Sequence, residues 1–355
     1  MENIFYVAEY PGENDSQRIG ACLKEASGCA ESTVVFSGRD FLISEAILLY
    51  AGMTILVDNC TIRQMDGTFD NVFRGANIHL NPDQPSGAAL SIDALKNVRL
   101  FGRGQAVIEG CAVNRRGYHP ILKQEQDMVG DYWGFLTYQV LFVSTTNLEI
   151  GGLSFLKTRC WAVTLDLCTN LHLHDLVFHT EVKNGDGIHL LSGCSHGIIE
   201  RISGTTSDDT VAVQAGFRLP CLPYKNYLAA FTPTEKIYAQ CTPEQLDCHD
   251  LQIRDIKAGG QMHNIILLAL NDSAIYQVEI EDVTDTCRIE PYFATVFLYT
   301  GIYGAPGTLR DISIKRVDAL ADTAFVSNTT IHNLFLSDVT TRNENGRLYG
   351  TFRQR

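Results

Sequence analysis

What this sequence lacks narrows the field first. No apolar run reaches the roughly 18–20 residues that a bilayer crossing requires. Charged residues make up only 19% of the 355, and Asp plus Glu exceed Lys plus Arg by 41 to 28. No Lys/Arg cluster is present, so nucleic acid is excluded as a partner. An extended polyanion is disfavoured unless a local basic pocket overrides the field. The 11 cysteines include no CxxC pair and no His/Cys spacing of a zinc site. Their odd number suits a reducing compartment better than a disulfide framework. P-loop, GxSxG and HExxH motifs are missing, and Gly102-Arg103-Gly104-Gln105 lacks the rest of a dinucleotide fingerprint. The opening residues Met1–Tyr10 carry an acid where a secretory signal has positive charge, and no cleavage site follows. The expectation is a cytoplasmic protein without cofactor or metal and with no membrane partner.

What is present is a repeat. A phrase of one polar residue, an apolar one, any residue, an apolar one, two polar or small residues and a further apolar one starts at Asn147, Asn170, His196, Asp250, Gln277, Asp311 and Asn333. The copy at His196 has Gly197 in its first apolar slot, and Asn97-Val98-Arg99-Leu100 is a truncated earlier copy. Most intervals run from 22 to 27 residues, and the two longer ones fit coils carrying an inserted loop. Four residues of alternation read as a strand, and the polar pair that follows suits a tight turn. Each unit is too short to bury its own apolar row, so units must stack and share a core. A β-sandwich would instead show hairpin signals every 8–12 residues or so. The expected fold is all-β: a right-handed parallel β-helix spanning 1–355 as one unit. An N-terminal cap to about residue 50 should include a helix over Asp15 to Ala26. Loop insertions are expected at about 113–133 and 214–248.

One constellation stands apart from the repeat. Asn184-Gly185-Asp186-Gly187 is followed by Asp208-Asp209, and matching Ile188/Leu190 with Val211/Val213 sets Asp186 beside Asp209 at a 23-residue interval. Asn-Gly and Asp-Gly are common turn pairs on their own. Three carboxylates in one-coil register are another matter, because like charges that close favour keeping a proton among them. A proton donor beside ionised carboxylates that activate water is what glycoside hydrolysis uses.

These phrases resemble the polygalacturonase-type family 28 glycoside hydrolases, which carry an Asn-x-Asp and an Asp-Asp on consecutive coils. Trp161-Ala162-Val163-Thr164-Leu165, one coil earlier, and Asn97 to Gly110 are similar to the same family. The resemblance covers roughly Asn97 to Val213. It implies Asp208 as general acid, Asp186 and Asp209 as the pair that holds and deprotonates water, and inversion at the anomeric carbon. Asn184, Trp161, His189, His263 and Arg288 are the candidate substrate-binding residues. Two departures stand out. The family's Gly-His-Gly has no literal match, the nearest candidate being His263 in Gly259-Gly260-Gln261-Met262-His263. Its Arg-Ile-Lys becomes Arg288-Ile289-Glu290, and Glu for Lys repels a uronate, which points toward a neutral or differently charged sugar.

His172, His174, His179 and His189 read as stacked or solvent-facing groups rather than metal ligands. Three functions remain open at this point: an inverting, end-acting glycoside hydrolase on oligosaccharides; a lyase or epimerase on the same scaffold; and a non-catalytic glycan-binding β-helix.

Overall fold

Each copy of the phrase begins with a residue in the left-handed backbone region. φ is 59° at Asn147, 56° at Asn170, 53° at Asp250 and 55° at Asn333. The sixth position repeats the device, with Gly152, Asp175, Arg201, Asp255, Asp282, Arg316 and Asp338 all at positive φ. Gly, Asn and Asp enter that region most readily, so the polar letters of the phrase are the corners of the coil. The sequence signalled only the second bend. The first was masked because His196 and Gln277 occupy it in two copies. Side chains at the first corner form a ladder: Asn147 donates to Asn97 (2.7 Å) and Asn170 to Asn147 (3.0 Å).

The apolar letters point inward and align from coil to coil. Leu148, Leu171, Gly197, Leu251, Val278 and Ile312 form one row, and Ile150, Leu173, Ile199, Ile253, Ile280 and Ile314 the next. Gly197 leaves no hole, since a Cβ there would lie 3.0 Å from Leu251 Cδ2 and 3.3 Å from Leu171 Cβ. The leucines on either side already fill that space.

The computed structural model describes residues 3–81, 89–113, 116–119, 124–127, 135–216, 238, 240–301 and 305–351. Two large sheets of parallel strands wrap the core, one of 15 strands from Ile4–Tyr6 to His332–Thr341, the other of 10 from Ile47–Leu49 to Arg347–Thr351. Strands in each follow one another in chain order. This is a parallel β-helix. No helix among the described residues is long and apolar enough to cross a membrane.

The helix Asp15–Ala26 starts on Asn14, whose side chain accepts from Gln17 N, and buries Ile19, Cys22, Leu23 and Ala26 in the main core. Coils begin sooner than residue 50: Ser32–Ser37, Phe41–Ile43 and Ile47–Leu49 already pair in the sheets. Within 113–133, Arg116–His119 and Gln124–Asp127 pair as an antiparallel hairpin. Of the later insertion, Gln214 and Ala215 still belong to the strand Val211–Ala215, and Pro243–Leu246 is a short 3-10 turn. Residues 217–237, with Pro220, Pro223, Tyr224, Tyr227 and Phe231, lie outside the described residues. No two of the ten cysteines described are joined in a disulfide. Cys168, Cys194 and Cys248 are fully buried, and burial pushes the Cys248 thiol up to about 12, so these are core groups rather than nucleophiles.

Candidate active site

The second sheet has short strands, and the residues just before them form a row along the helix axis. Val140, Val163, Ile188, Val211 and Ile265 pair in register. Two residues upstream of each stand Tyr138, Trp161, Asp186, Asp209 and His263. The backbone keeps this register up to the row itself: Ala162 N donates to Asp186 O, Gly187 N to Asp209 O and Thr210 N to His263 O. Asp186 and Asp209 are thus one coil apart, and Asp208 adjoins them. One carboxylate oxygen from each of the three lies within 4.8 Å of the others.

The turn that delivers Asp186 depends on its neighbours. Asn184 sits at φ 55°. A Cβ on Gly185 would meet Ser207 Oγ at 2.4 Å, and one on Gly187 would meet Thr210 O at 2.7 Å. Only glycine allows the two coils to come this close on both sides of the aspartate. Thr180 ties the turn by donating to Gly185 O (2.5 Å) and accepting from Ser207 N (3.0 Å).

Imidazoles hold two of the three carboxylates. His189 Nδ1 donates to Asp186 Oδ2 at 2.6 Å, and His263 Nδ1 donates to Asp209 Oδ1 at 2.6 Å. Both rings are fixed in turn by aromatics. His189 stacks on Trp161 at 3.7 Å between centroids, and Trp161 stacks on Tyr138 at 5.0 Å. His263 stacks on Phe297 at 4.7 Å and meets Phe293 edge-on. Next to His263, Asn264 donates to Asp285, a fully buried carboxylate that also accepts from Tyr292, Thr295 and the backbone of Leu320 and Ala321.

Asp186 is 2% and Asp209 9% exposed, while Asp208 is half-buried. The close coil packing forced by Gly185 and Gly187 accounts for this. The three carboxylates form an all-oxygen donor set that could hold a hard divalent cation, although the histidines already use one oxygen each of Asp186 and Asp209.

No protein-family model matches the chain, and no curated protein matches it. Solved structures do match over nearly its whole length. A hyperthermoactive exopolygalacturonase from Thermotoga maritima is 12% identical with a TM-score of 0.58, over 99% of this chain and 91% of that one. A mutant tailspike protein of the E. coli bacteriophage HK620, in complex with pentasaccharide, is 12% identical with a TM-score of 0.60, over 96% of this chain and 62% of that one. A second tailspike structure from the same phage reaches 0.54 over the same shares. What they share with this chain is the β-helix fold.

The remaining sequence-predicted residues divide. Trp161 and His189 adjoin the cluster through their stack. Trp161 is only 4% exposed, so it props His189 rather than presenting a free face. Arg288 gives its guanidinium to Glu290 (2.8 Å), Leu320 O (3.0 Å) and Asp322 (2.6 Å), and not to the aspartates. Sequence reasoning missed Tyr138, although it stands 23 residues before Trp161, the same interval that links Asp186 to Asp209. It also missed Asp285, which no motif marks.

Proposed function

We propose that this protein is a glycoside hydrolase that cleaves oligosaccharides with inversion, acting from a chain end. The observation that carries hydrolysis is the three aspartates with oxygens within 4.8 Å, two of them anchored by imidazoles and one left more accessible; inversion rests on the motif resemblance alone, because inverting pairs usually stand roughly 6.5–9.5 Å apart. Structural likeness to an exopolygalacturonase and to tailspikes solved with a bound pentasaccharide favours a carbohydrate ligand. The motif resemblance favours hydrolysis.

In this mechanism Asp208 protonates the glycosidic oxygen, since a half-buried carboxyl can reach a substrate while its two neighbours cannot move. Asp186 and Asp209 hold one water between them. Hydrogen bonds of about 2.8 Å let a single water bridge oxygens up to roughly 5 Å apart. As the water attacks the anomeric carbon, its proton passes to this pair, and the leaving sugar takes the proton of Asp208. His189 and His263 are positioning residues that fix the oxygens and keep them aimed at the water. His263 Nε2 is buried and without a hydrogen-bond partner among the described residues. Because Glu290 and Asp322 occupy Arg288, a neutral sugar suits the site better than a uronate.

The test is a screen of neutral and acidic oligosaccharides followed by three variants. Asp208→Asn should lower turnover about 10²–10⁴-fold on poor leaving groups and less on activated aryl glycosides. Asp186→Asn and Asp209→Asn should impair both substrate types alike. Proton NMR should find the inverted anomer first, and retention would sink the mechanism. Robust release of galacturonic acid from pectic oligomers would overturn the neutral-sugar assignment. If the three variants still bind glycan and the wild type hydrolyses none, the protein is a glycan-binding β-helix.

A further inference from the structure

The outer face of the larger sheet carries a second grouping of chemistry-bearing side chains. Glu149 lies on the strand Thr145–Gly151, and His172 and His174 lie on the neighbouring strand Thr169–His179. Glu149 pairs with His172 and Gly151 with His174, so their outward side chains stack. One donor atom from each of Glu149, His172 and His174 lies within 4.8 Å of the others. His172 Nδ1 is 3.6 Å and His174 Nε2 3.4 Å from the same Glu149 oxygen.

The other nitrogen of each ring meets a carboxylate. His174 Nδ1 donates to Asp175 at 2.7 Å, and His172 Nε2 donates to Glu200 at 3.1 Å. In the neutral tautomer those bonds place the N–H on the far side of each ring and a lone pair toward Glu149; without an ion, His174 Nε2 lies within hydrogen-bond distance of Glu149. Three electron-pair donors therefore converge on one point, and a single cation satisfies all three. Their spacing is right for one: ligands of a tetrahedral ion with bonds of about 2.0–2.1 Å sit roughly 3.3–3.4 Å apart. A carboxylate on the far nitrogen of each imidazole is also how metal-ligating histidines are oriented. Gly151 makes the arrangement possible, because a Cβ there would stand 2.3 Å from His174 Cε1. Glu149 and His172 line a groove of about 900 Å3 that includes none of Asp186, Asp208 and Asp209.

We propose that Glu149, His172 and His174 bind a divalent transition-metal ion of the zinc type, with a fourth position open toward this groove. Two imidazole nitrogens and one carboxylate select zinc, cobalt or nickel over calcium or magnesium. These histidines then do more than stack or face solvent, which is how the sequence reads them. The ion joins two successive coils directly, and Glu200 links the third.

The test is calorimetric titration of chelator-treated full-length protein with Zn2+, with Co2+ as a spectroscopic probe. One Zn2+ per chain is expected, and Co2+ should give the strong visible bands of tetrahedral coordination. His172→Ala and His174→Ala should each weaken Zn2+ binding at least about 100-fold, and Asp175→Asn about 10–100-fold. Gly151→Ala keeps every ligand but displaces the His174 ring, and should weaken binding too. His249→Ala, in the separate His196–His249–Asp250 group, should leave the affinity of this site unchanged. Circular dichroism of the zinc-free variants checks that each remains folded. Failure of the wild type to take up Zn2+, or a His172→Ala/His174→Ala double variant that binds as the wild type does, overturns the proposal.

Discussion

Two groupings of imidazole and carboxylate occupy this solenoid, and they are built from opposite parts of the coil. The Asp186–Asp208–Asp209 cluster stands at a corner, just ahead of short strands, with Asp186 and Asp209 nearly out of solvent. The Glu149–His172–His174 cluster stands in mid-strand on a sheet face, with side chains 17–38% exposed. At the corner the histidines donate into the central carboxylates and hold them still. On the face, outer carboxylates meet the far nitrogen of each ring, which in the neutral tautomer leaves the lone pairs inward. In the two roles proposed for them, the same residue types would support acid/base chemistry in one place and cation binding in the other. What differs is which ring nitrogen is already committed.

The largest expected effect separates the two clusters by function. Asp209→Asn should reduce turnover by about 10²-fold or more while leaving Zn2+ uptake unchanged, read by a reducing-sugar assay beside calorimetry. Loss of both together would merge the clusters into one site. Stability provides the next contrast. His263→Ala leaves the nearly buried Asp209 without its imidazole and should cost about 3 kcal/mol in urea unfolding. His172→Ala, in zinc-free protein, removes only part-exposed ion pairs and should cost less than about 1 kcal/mol. Equal costs would break the distinction between buried and surface clusters.

The smallest effect is a shift with pH. Burial tends to raise the Glu200 carboxyl, but hydrogen bonds from Arg201, His172 and Arg254 outweigh it and hold it at about 2. A depressed folded-state value means the stabilisation is complete above the ordinary glutamate range near 4.5 and is lost as pH falls toward about 2. Glu200→Gln should therefore flatten the fall in unfolding free energy between roughly pH 4.5 and 2. An unchanged slope in acid urea titrations would show that Glu200 contributes nothing there.

The fold was legible because burial enforces it. Inward positions such as Leu148, Leu171 and Ile253 can only be apolar, and their 22–27-residue recurrence is visible by eye. The register of Asp186 against Asp209 came from the same rows. What the sequence hid was conveyed by packing across coils. Nothing near His263 marks Phe297 as the ring beneath it, and nothing near Glu149 shows that Gly151 clears room for His174. The resemblance to a hydrolase motif also drew the eye to the corner and away from the sheet face, where the alternation of His172 and His174 read as ordinary surface.

The row from Tyr138 to His263 has an evolutionary consequence. Each coil adds one side chain to it, and successive coils are about 4.8 Å apart, so the row is a ruler graduated in whole turns of chain. Exchanging the residue at one graduation leaves the backbone spacing of the others untouched. A β-helix can in this way vary one stretch of a long ligand's contact surface at a time, which a globular pocket, where every wall touches every other, does not allow.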